Sequence, residues 1–296
     1  MICRTALDMS FSSFPWQANC TFRGKKGIMP LLTLEEIQES VPLFKGRAGG
    51  RAARILMRWL NITSLNDLYD RNAIASGPDF AAMVLQDLGV RYEVMHAERL
   101  KSIPDGPFIV ISNHPYGSLD GVIMIDLFGH LRPDFKVMVN GILSRIETLE
   151  GNFINVTPTP DKPTAPAKDS IQGIKEAVRH VRDGHPLGIF PSGAVSDLSL
   201  KDRCVRDRQW QEPVIRLIQK LRVPVIPIHF LDGNSPFYYA LGLLSWKVRL
   251  LRLPSEVFNK RGKPARVAIG NPISVSLQDD LDDLRNYLRD SVYKLE

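Results

Sequence analysis

From Asp79 onward the chain alternates between helix-period segments and short β-branched runs, and this alternation restricts the fold more than any other feature. The run DFAAMVLQDLG starting at Asp79 carries a helical period, and RYEVMHAERL (91–100) and FIVIS (108–112) are strand-like. Further strand signals follow at FKVMV (135–139), PLGIFP (186–191), VPVIPIHF (223–230) and ARVAIG (265–270). Helical patterns separate several of them, notably Ile171 to Arg182 and Val214 to Leu221. Strands alternating with helices predict a sheet covered by helices, here over residues 79–296.

Upstream, the organisation differs. Residues 1–28 carry no period and read as a flexible tail, and residues 29–78 read as an N-terminal helical segment. Thr33 followed by Glu36 is a capping-box start. Between Arg47 and Leu60, arginines 47, 51, 54 and 58 recur at helical spacing, with Ala48, Ala52, Ile55, Leu56 and Trp59 on another face. This basic amphipathic helix fits two readings: packed on the core with solvated arginines, or lying on anionic lipid. TPTPDKPTAPAKD (157–169), with four prolines, reads as a surface loop.

Composition narrows the class. The 296 residues are 44% apolar, ample for a buried interior, and 38 Lys and Arg against 32 Asp and Glu give a net charge of +6. That balance favours acidic partners. Cys3, Cys20 and Cys204 show neither pairing nor metal-ligand spacing, which points to a reducing compartment and to no metal site. Residues 1–16 lack the pattern of a secretory signal, and apolar stretches such as Tyr238 to Trp246 fall short of the roughly 20 residues a spanning helix needs. The expected location is cytoplasmic, peripheral on the inner face of the cell membrane. A nucleic-acid partner fits the charge but little else, because no interleaved aromatic and basic platform accompanies it.

The densest chemistry lies in ISNHPYGSLDG (111–121). His114 follows a strand and enters a turn, and Asp120 lies at the start of a second helical run, DGVIMIDLFGHL. A histidine so placed can act as a general base while the carboxylate fixes its tautomer and stabilises the imidazolium. The loop resembles the N-H-D signature of the PlsC-like glycerolipid acyltransferases. Three further blocks follow in that family's order: Gly151-Asn-Phe-Ile-Asn-Val, Phe190-Pro-Ser-Gly-Ala-Val-Ser and Val223-Pro-Val-Ile-Pro-Ile. Together they span roughly residues 80–275. The form NHPYGSLDG, the stretch Arg206-Asp-Arg-Gln-Trp, and the segments Asp232-Gly-Asn-Ser and Gly270-Asn-Pro-Ile are most similar to the bacterial hemolysin-like branch, which includes enzymes that O-acylate lyso-ornithine or lyso-glycine lipids.

The resemblance implies an α/β fold with a mixed, mostly parallel central sheet flanked by helices. It implies acyl transfer from an acyl carrier protein or coenzyme A thioester to a lyso-lipid hydroxyl at a membrane surface with anionic lipids, without a cofactor. His114 would be the base and Asp120 its partner. Around the substrate it places Asn113 and Gly117, then Asn155, then Phe190, Pro191, Ser192 and Gly193, and finally Arg206 and Arg208. The Phe190 to Gly193 loop would offer backbone N–H groups to an oxyanion, or form only a tight turn. Arg203, Arg206 and Arg208 fit either a solvated face or a contact with lipid carboxylate or the donor's phosphopantetheine arm.

Three departures bear on the acceptor. Five residues separate His114 from Asp120 where the family pattern has four, with Gly117 able to absorb the extra one. Asn155 stands where the second block usually ends in Arg, and Ser192, Ala194 and Val195 replace the Glu, Thr and Arg of the third. Two cationic phosphate anchors are thereby absent, at about 1.5–3 kcal/mol for each charge-assisted bond. A lyso-aminolipid is therefore expected over lysophosphatidic acid. The competing expectation is a non-catalytic lipid-binding protein on the same fold. Among the remaining candidates, Cys204 lacks a partner His, Ser118 lacks a nucleophile elbow, and His180, His185 and His229 read as structural.

Overall fold

The computed structural model describes residues 34–35, 46–156 and 168–295. The tail read over residues 1–28, the Thr33 cap and residues 157–167 of the proline-rich loop lie outside the described residues.

Two helices, α1 (Gly46–Trp59) and α2 (Ile62–Asn72), precede the α/β region. In α1 the buried contacts come from Gly50, Ala53, Met57 and Leu60, whereas Ile55 and Trp59 are about two-thirds exposed beside Arg51, Arg54 and Arg58. Of the apolar stripe seen in the sequence, Ala48, Ala52, Ile55 and Trp59 thus face outward and Leu56 packs partly on Met57 and Leu60, because a different row supplies most of the packing face.

The α/β region begins with α3 (Gly77–Leu88), where Pro78 occupies the first turn and Gly89 closes the helix in the left-handed conformation. Phe80, Ala81, Val84, Leu85 and Leu88 form its buried row. Strand β1 (Arg91–Met95) is followed by β2 (Ile109–Ser112), α4 (Leu119–Leu131), β3 (Lys136–Asn140), β4 (Phe153–Val156) and α5 (Lys168–Arg182). Then come β5 (Leu187–Ile189), the small hairpin of β6 (Asp197–Ser199) and β7 (Cys204–Arg206), and α6 (Glu212–Leu221). The chain continues through β8 (Val225–Phe230), the helical pair α7 (Pro236–Leu244) and α8 (Trp246–Asn259), β9 (Pro264–Ile269) and α9 (Leu281–Tyr293).

Seven strands form one sheet in the order β1-β9-β8-β2-β5-β3-β4, and every neighbouring pair is parallel except β8 with β9. The mixed, mostly parallel sheet flanked by helices is as expected. Strand β2 shows why: all four of its residues are buried, as both faces of a covered parallel sheet require. Its alternate residues feed two cores. Val110 joins Phe80, Leu88, Phe128 and Ile226 under α3 and α4, while Ile109 and Ile111 join Ile154, Val181, Ile215 and Leu288 under α5, α6 and α9. Each fully buried side chain of this kind contributes about 1.5–3 kcal/mol by leaving water.

The central position of β2 brings the segment that follows it to the C-terminal edge of the sheet, where α/β folds assemble their sites.

Candidate active site

His114 leaves the end of β2 in a loop that is clamped from several directions. The Asn113 amide donates to Phe230 O (2.9 Å) and its Oδ1 accepts from Phe230 N (2.8 Å), so the side chain extends the β2–β8 pairing. The Tyr239 hydroxyl donates to Pro115 O (2.8 Å), and the Asn234 amide to Tyr116 O (3.0 Å). Ser196 N donates to His114 O (2.9 Å). Loop residues rarely carry this many backbone ties, and the result is a histidine whose main chain cannot drift.

The imidazole is set by Asp120. Nδ1 lies 2.8 Å from Asp120 Oδ2, with the carboxylate fully buried and the ring 18% exposed. Charge attraction and hydrogen bonding to Asp120 both favour the protonated ring. Asp120 itself is held by Tyr116 N and Gly117 N (both 3.1 Å) on Oδ2 and by Gly121 N (3.0 Å) on Oδ1. It stands in the first turn of α4, where the helix dipole favours a negative charge. Gly117 makes the turn possible. Its φ is +76°, and a Cβ there would lie 2.6 Å from Val195 Cγ2. The five-residue spacing therefore closes with the two side chains in contact.

A second carboxylate, which sequence reasoning missed, holds the main chain of the histidine. Asp207 is buried; its Oδ1 accepts from His114 N (3.1 Å) and Ser196 Oγ (2.5 Å), and its Oδ2 accepts from Trp210 Nε1 (3.1 Å). Its own N–H donates to the Tyr293 hydroxyl of α9 (2.8 Å). The only signal in the sequence was an acidic residue between Arg206 and Arg208, three positions before a tryptophan. Burial pushes the Asp207 carboxyl above its ordinary value, against its three hydrogen bonds. For His114, burial works against the charged ring, but the Asp120 and Asp207 carboxylates outweigh it and the pKa is raised.

The Phe190 ring stacks on the imidazole, with centroids 4.1 Å apart and planes at 31°. The turn after it is internally committed: Gly193 N donates to Phe190 O (3.0 Å), Ser192 Oγ donates to Ala194 O (2.8 Å), and Gln211 N donates to Pro191 O (2.9 Å). Gly193 has φ +65°, and a Cβ would strike the Gln211 amide. The Gly193 N–H is thus engaged in the turn.

Other expected residues lie apart from the ring. Asn155 is exposed on edge strand β4, three strands from β2, or about 14 Å at ordinary strand spacing. Arg208 pairs with Asp197 (2.5 Å), and the exposed Arg206 has its guanidinium 5.6 Å from the centre of the Tyr293 ring. His229 Nδ1 contacts Leu295 O (2.8 Å), and His180 and His185 contact Pro186 O (3.1 Å) and Asp134 (2.7 Å). A cavity of about 420 Å³ opens beside the loop, lined by Asn113, Pro115, Arg203, Cys204, His229 and Tyr239 among others. His114 is not among its walls, so the cavity is a neighbour of the imidazole rather than its vestibule.

A partly exposed histidine, backed by a buried carboxylate at the C-terminal edge of a parallel sheet, can take a proton from an approaching hydroxyl. Against known proteins, the family model described as "Acyltransferase" matches residues 37–295. The chain belongs to the acyltransferase family. Among curated members, it is 29% identical over 231 residues to the lyso-glycine lipid O-acyltransferase of Bacteroides thetaiotaomicron, covering 74% of this chain and 80% of that protein. It is 26% identical over 230 residues to the enzyme of the same name from Phocaeicola vulgatus, covering 74% and 78%. The solved 1-acyl-sn-glycerophosphate (LPA) acyltransferase PlsC of Thermotoga maritima aligns with a TM-score of 0.44 and 15% identity, over 81% of this chain and 94% of that one. His114, Asp120 and Asp207 all fall within the part of the chain that the acyltransferase model matches.

Proposed function

We propose that this acyltransferase moves a fatty acyl chain from an acyl thioester to the hydroxyl of a lyso-lipid, with His114 as general base. The observation that carries the reading is the contact of His114 Nδ1 with buried Asp120 at 2.8 Å, which leaves Nε2 for the substrate. Nε2 takes the acceptor's hydroxyl proton as its oxygen attacks the thioester carbonyl. The tetrahedral adduct collapses, the C–S bond breaks, and the imidazolium returns the proton to the departing thiolate. Products are an ester and a free thiol. Because the thioester arrives activated, positioning and one proton shuttle suffice, and the donor is acyl carrier protein or coenzyme A.

The acceptor is a lyso-aminolipid, a lyso-glycine or lyso-ornithine lipid. Two observations support this choice: the names of the relatives, and Asn155 and Val195 where a phosphate-using pattern carries arginines. Val195 is buried against the Gly117 turn and presents no charge. Reaction with an amphiphile takes place at the surface of an anionic membrane, on its inner face. Among the described residues, no helix is long and apolar enough to cross one.

The test is acyl transfer by the purified chain to lyso-glycine lipid, lyso-ornithine lipid and lysophosphatidic acid, with acyl-ACP and acyl-CoA in parallel. Preference for an aminolipid acceptor is the expected result. Strong preference for lysophosphatidic acid would overturn the acceptor assignment, and full activity in His114→Ala would overturn the mechanism.

A further inference from the structure

We propose that the tip of the α7–α8 helical pair is the surface that seats the molecule on an anionic lipid bilayer, a deepening that rests on the lyso-lipid reading above. The pair turns at Ser245, and large apolar side chains crowd the turn and the helix faces beside it. Leu244 is 84% exposed, Leu251 57% and Leu243 50%, with Val248 and Leu250 also exposed. Such a concentration within nine residues contrasts with the scattered single exposures normal on a protein surface.

The inner side of the pair is fully occupied. Tyr238 and Tyr239 are buried with Val195, and Leu253 packs against them. Arg249 is buried on Ser196 O (3.1 Å) and Asp197. Glu256 accepts from Ser235 N (2.9 Å) and Ser235 Oγ (2.7 Å), closing the open end of the pair. The exposed leucines take no part in this inner packing. They project from a braced support.

Charge selects the occupant. Between Asp232 and Glu256 the sequence contains no acidic residue; of its three basic ones Arg249 is neutralised inside the fold by Asp197, which leaves Lys247 and Arg252 as the segment's remaining positive charges. Arg252 stacks its guanidinium 5.7 Å from the Phe237 ring centre, leaving a cation beside the apolar surface. A second copy of this chain would bring the same basic segment against itself with no carboxylate in it to pair, as a two-fold contact demands. A bilayer with anionic headgroups accepts leucines at its acyl boundary and basic side chains at its surface. With 9 and 14 residues, α7 and α8 dip into one leaflet and do not span it.

Position gives the seat a use. The same α7 whose far end meets lipid donates the Tyr239 hydroxyl to Pro115 O beside His114, and Leu253 of α8 lies within reach of the Gly117 turn. An acceptor anchored in the bilayer then approaches the His114 loop along the pair.

The test uses the full chain, vesicles of phosphatidylcholine containing 30% phosphatidylglycerol as an order-of-magnitude anionic surface (about one charge per three lipids), and the double variant Leu244→Asp/Leu251→Asp. The variant should sediment with these vesicles at least tenfold less well, while its turnover of detergent-dispersed lyso-glycine lipid stays within about twofold of wild type. Undiminished vesicle binding, or a variant that alters only the oligomeric state in analytical ultracentrifugation, would overturn the proposal. If circular dichroism shows that the aspartates disturb the fold, Leu244→Ser/Leu251→Ser decides the same question. Absence of acyl transfer by wild type in detergent would count against the lyso-lipid reading alone, because vesicle sedimentation is read independently.

Discussion

At the scale of single residues, the site is a histidine held by two carboxylates with unequal roles. Asp120 touches the ring, whereas Asp207 holds the backbone of His114 and adds negative charge nearby. His114→Ala should lower acyl transfer by about 10²–10⁴, the usual contribution of a general base, with melting temperature as the check on folding. Because the neutral ring is the working form and its pKa is raised, kcat/KM should fall as pH drops through a midpoint above the ordinary histidine value of 6.5. Asp207 is a positioning residue, and Asp207→Asn should move that midpoint to lower pH by removing a charge that favours the imidazolium. A purely structural role would lower activity without moving the midpoint. Stability should also drop by about 1–3 kcal/mol, since an amide nitrogen in place of Oδ2 would face the Trp210 N–H. Gly117→Ala should be severe, combining a left-handed φ with the Val195 clash; adding Val195→Ala should relieve the steric part and leave the backbone strain, as read by denaturant midpoints.

At the scale of elements, legibility followed the strength of the local period. Helices α3 and α5 are readable because burial repeats along them at the helical period, and β2 because a short unbroken apolar run marks a strand covered on both faces. Strand β4 was quoted in a motif but not recognised as a strand, because four residues at a sheet edge, one of them exposed, carry too short a pattern. The hairpin β6–β7 has three residues per strand and escaped for the same reason. The pair α7–α8 looked like one apolar stretch around Tyr238 to Trp246, since no period survives when the outward face is also apolar. His114 and Asp120 were legible from their loop, whereas Asp207 lies 93 positions from His114 and becomes its neighbour only through the tertiary fold. Asn113 belongs to this scale too. Asn113→Ala should release the loop from β8, leaving Phe230 N and O without their partner, and cost about 1–3 kcal/mol with a matching loss of activity.

At the scale of the whole molecule, the lipid seat proposed on the helical pair is joined to the first helices. Exposed Ile55 and Trp59 with their arginines lie on α1, and the α1–α2 junction is tied to α8 by Asn61 to Ser255 (3.1 Å). Vesicle binding should weaken as salt rises, since exposed arginines are screened over about 8–10 Å. Stability should depend on pH at remote contacts as well. The Asp126 carboxylate, against partial burial, raises the His130 pKa to about 9. Its stabilising effect is complete below the unfolded value near 6.5 and is lost as pH rises through about 9. His130→Gln should flatten the alkaline part of the melting-temperature profile. The most direct test of the central claim is a single-turnover measurement with radiolabelled acyl thioester and lyso-glycine lipid, comparing wild type with His114→Ala at matched folding. Labelled diacyl product from wild type, with the variant slower by a hundredfold or more, is the predicted result; equal rates would contradict it.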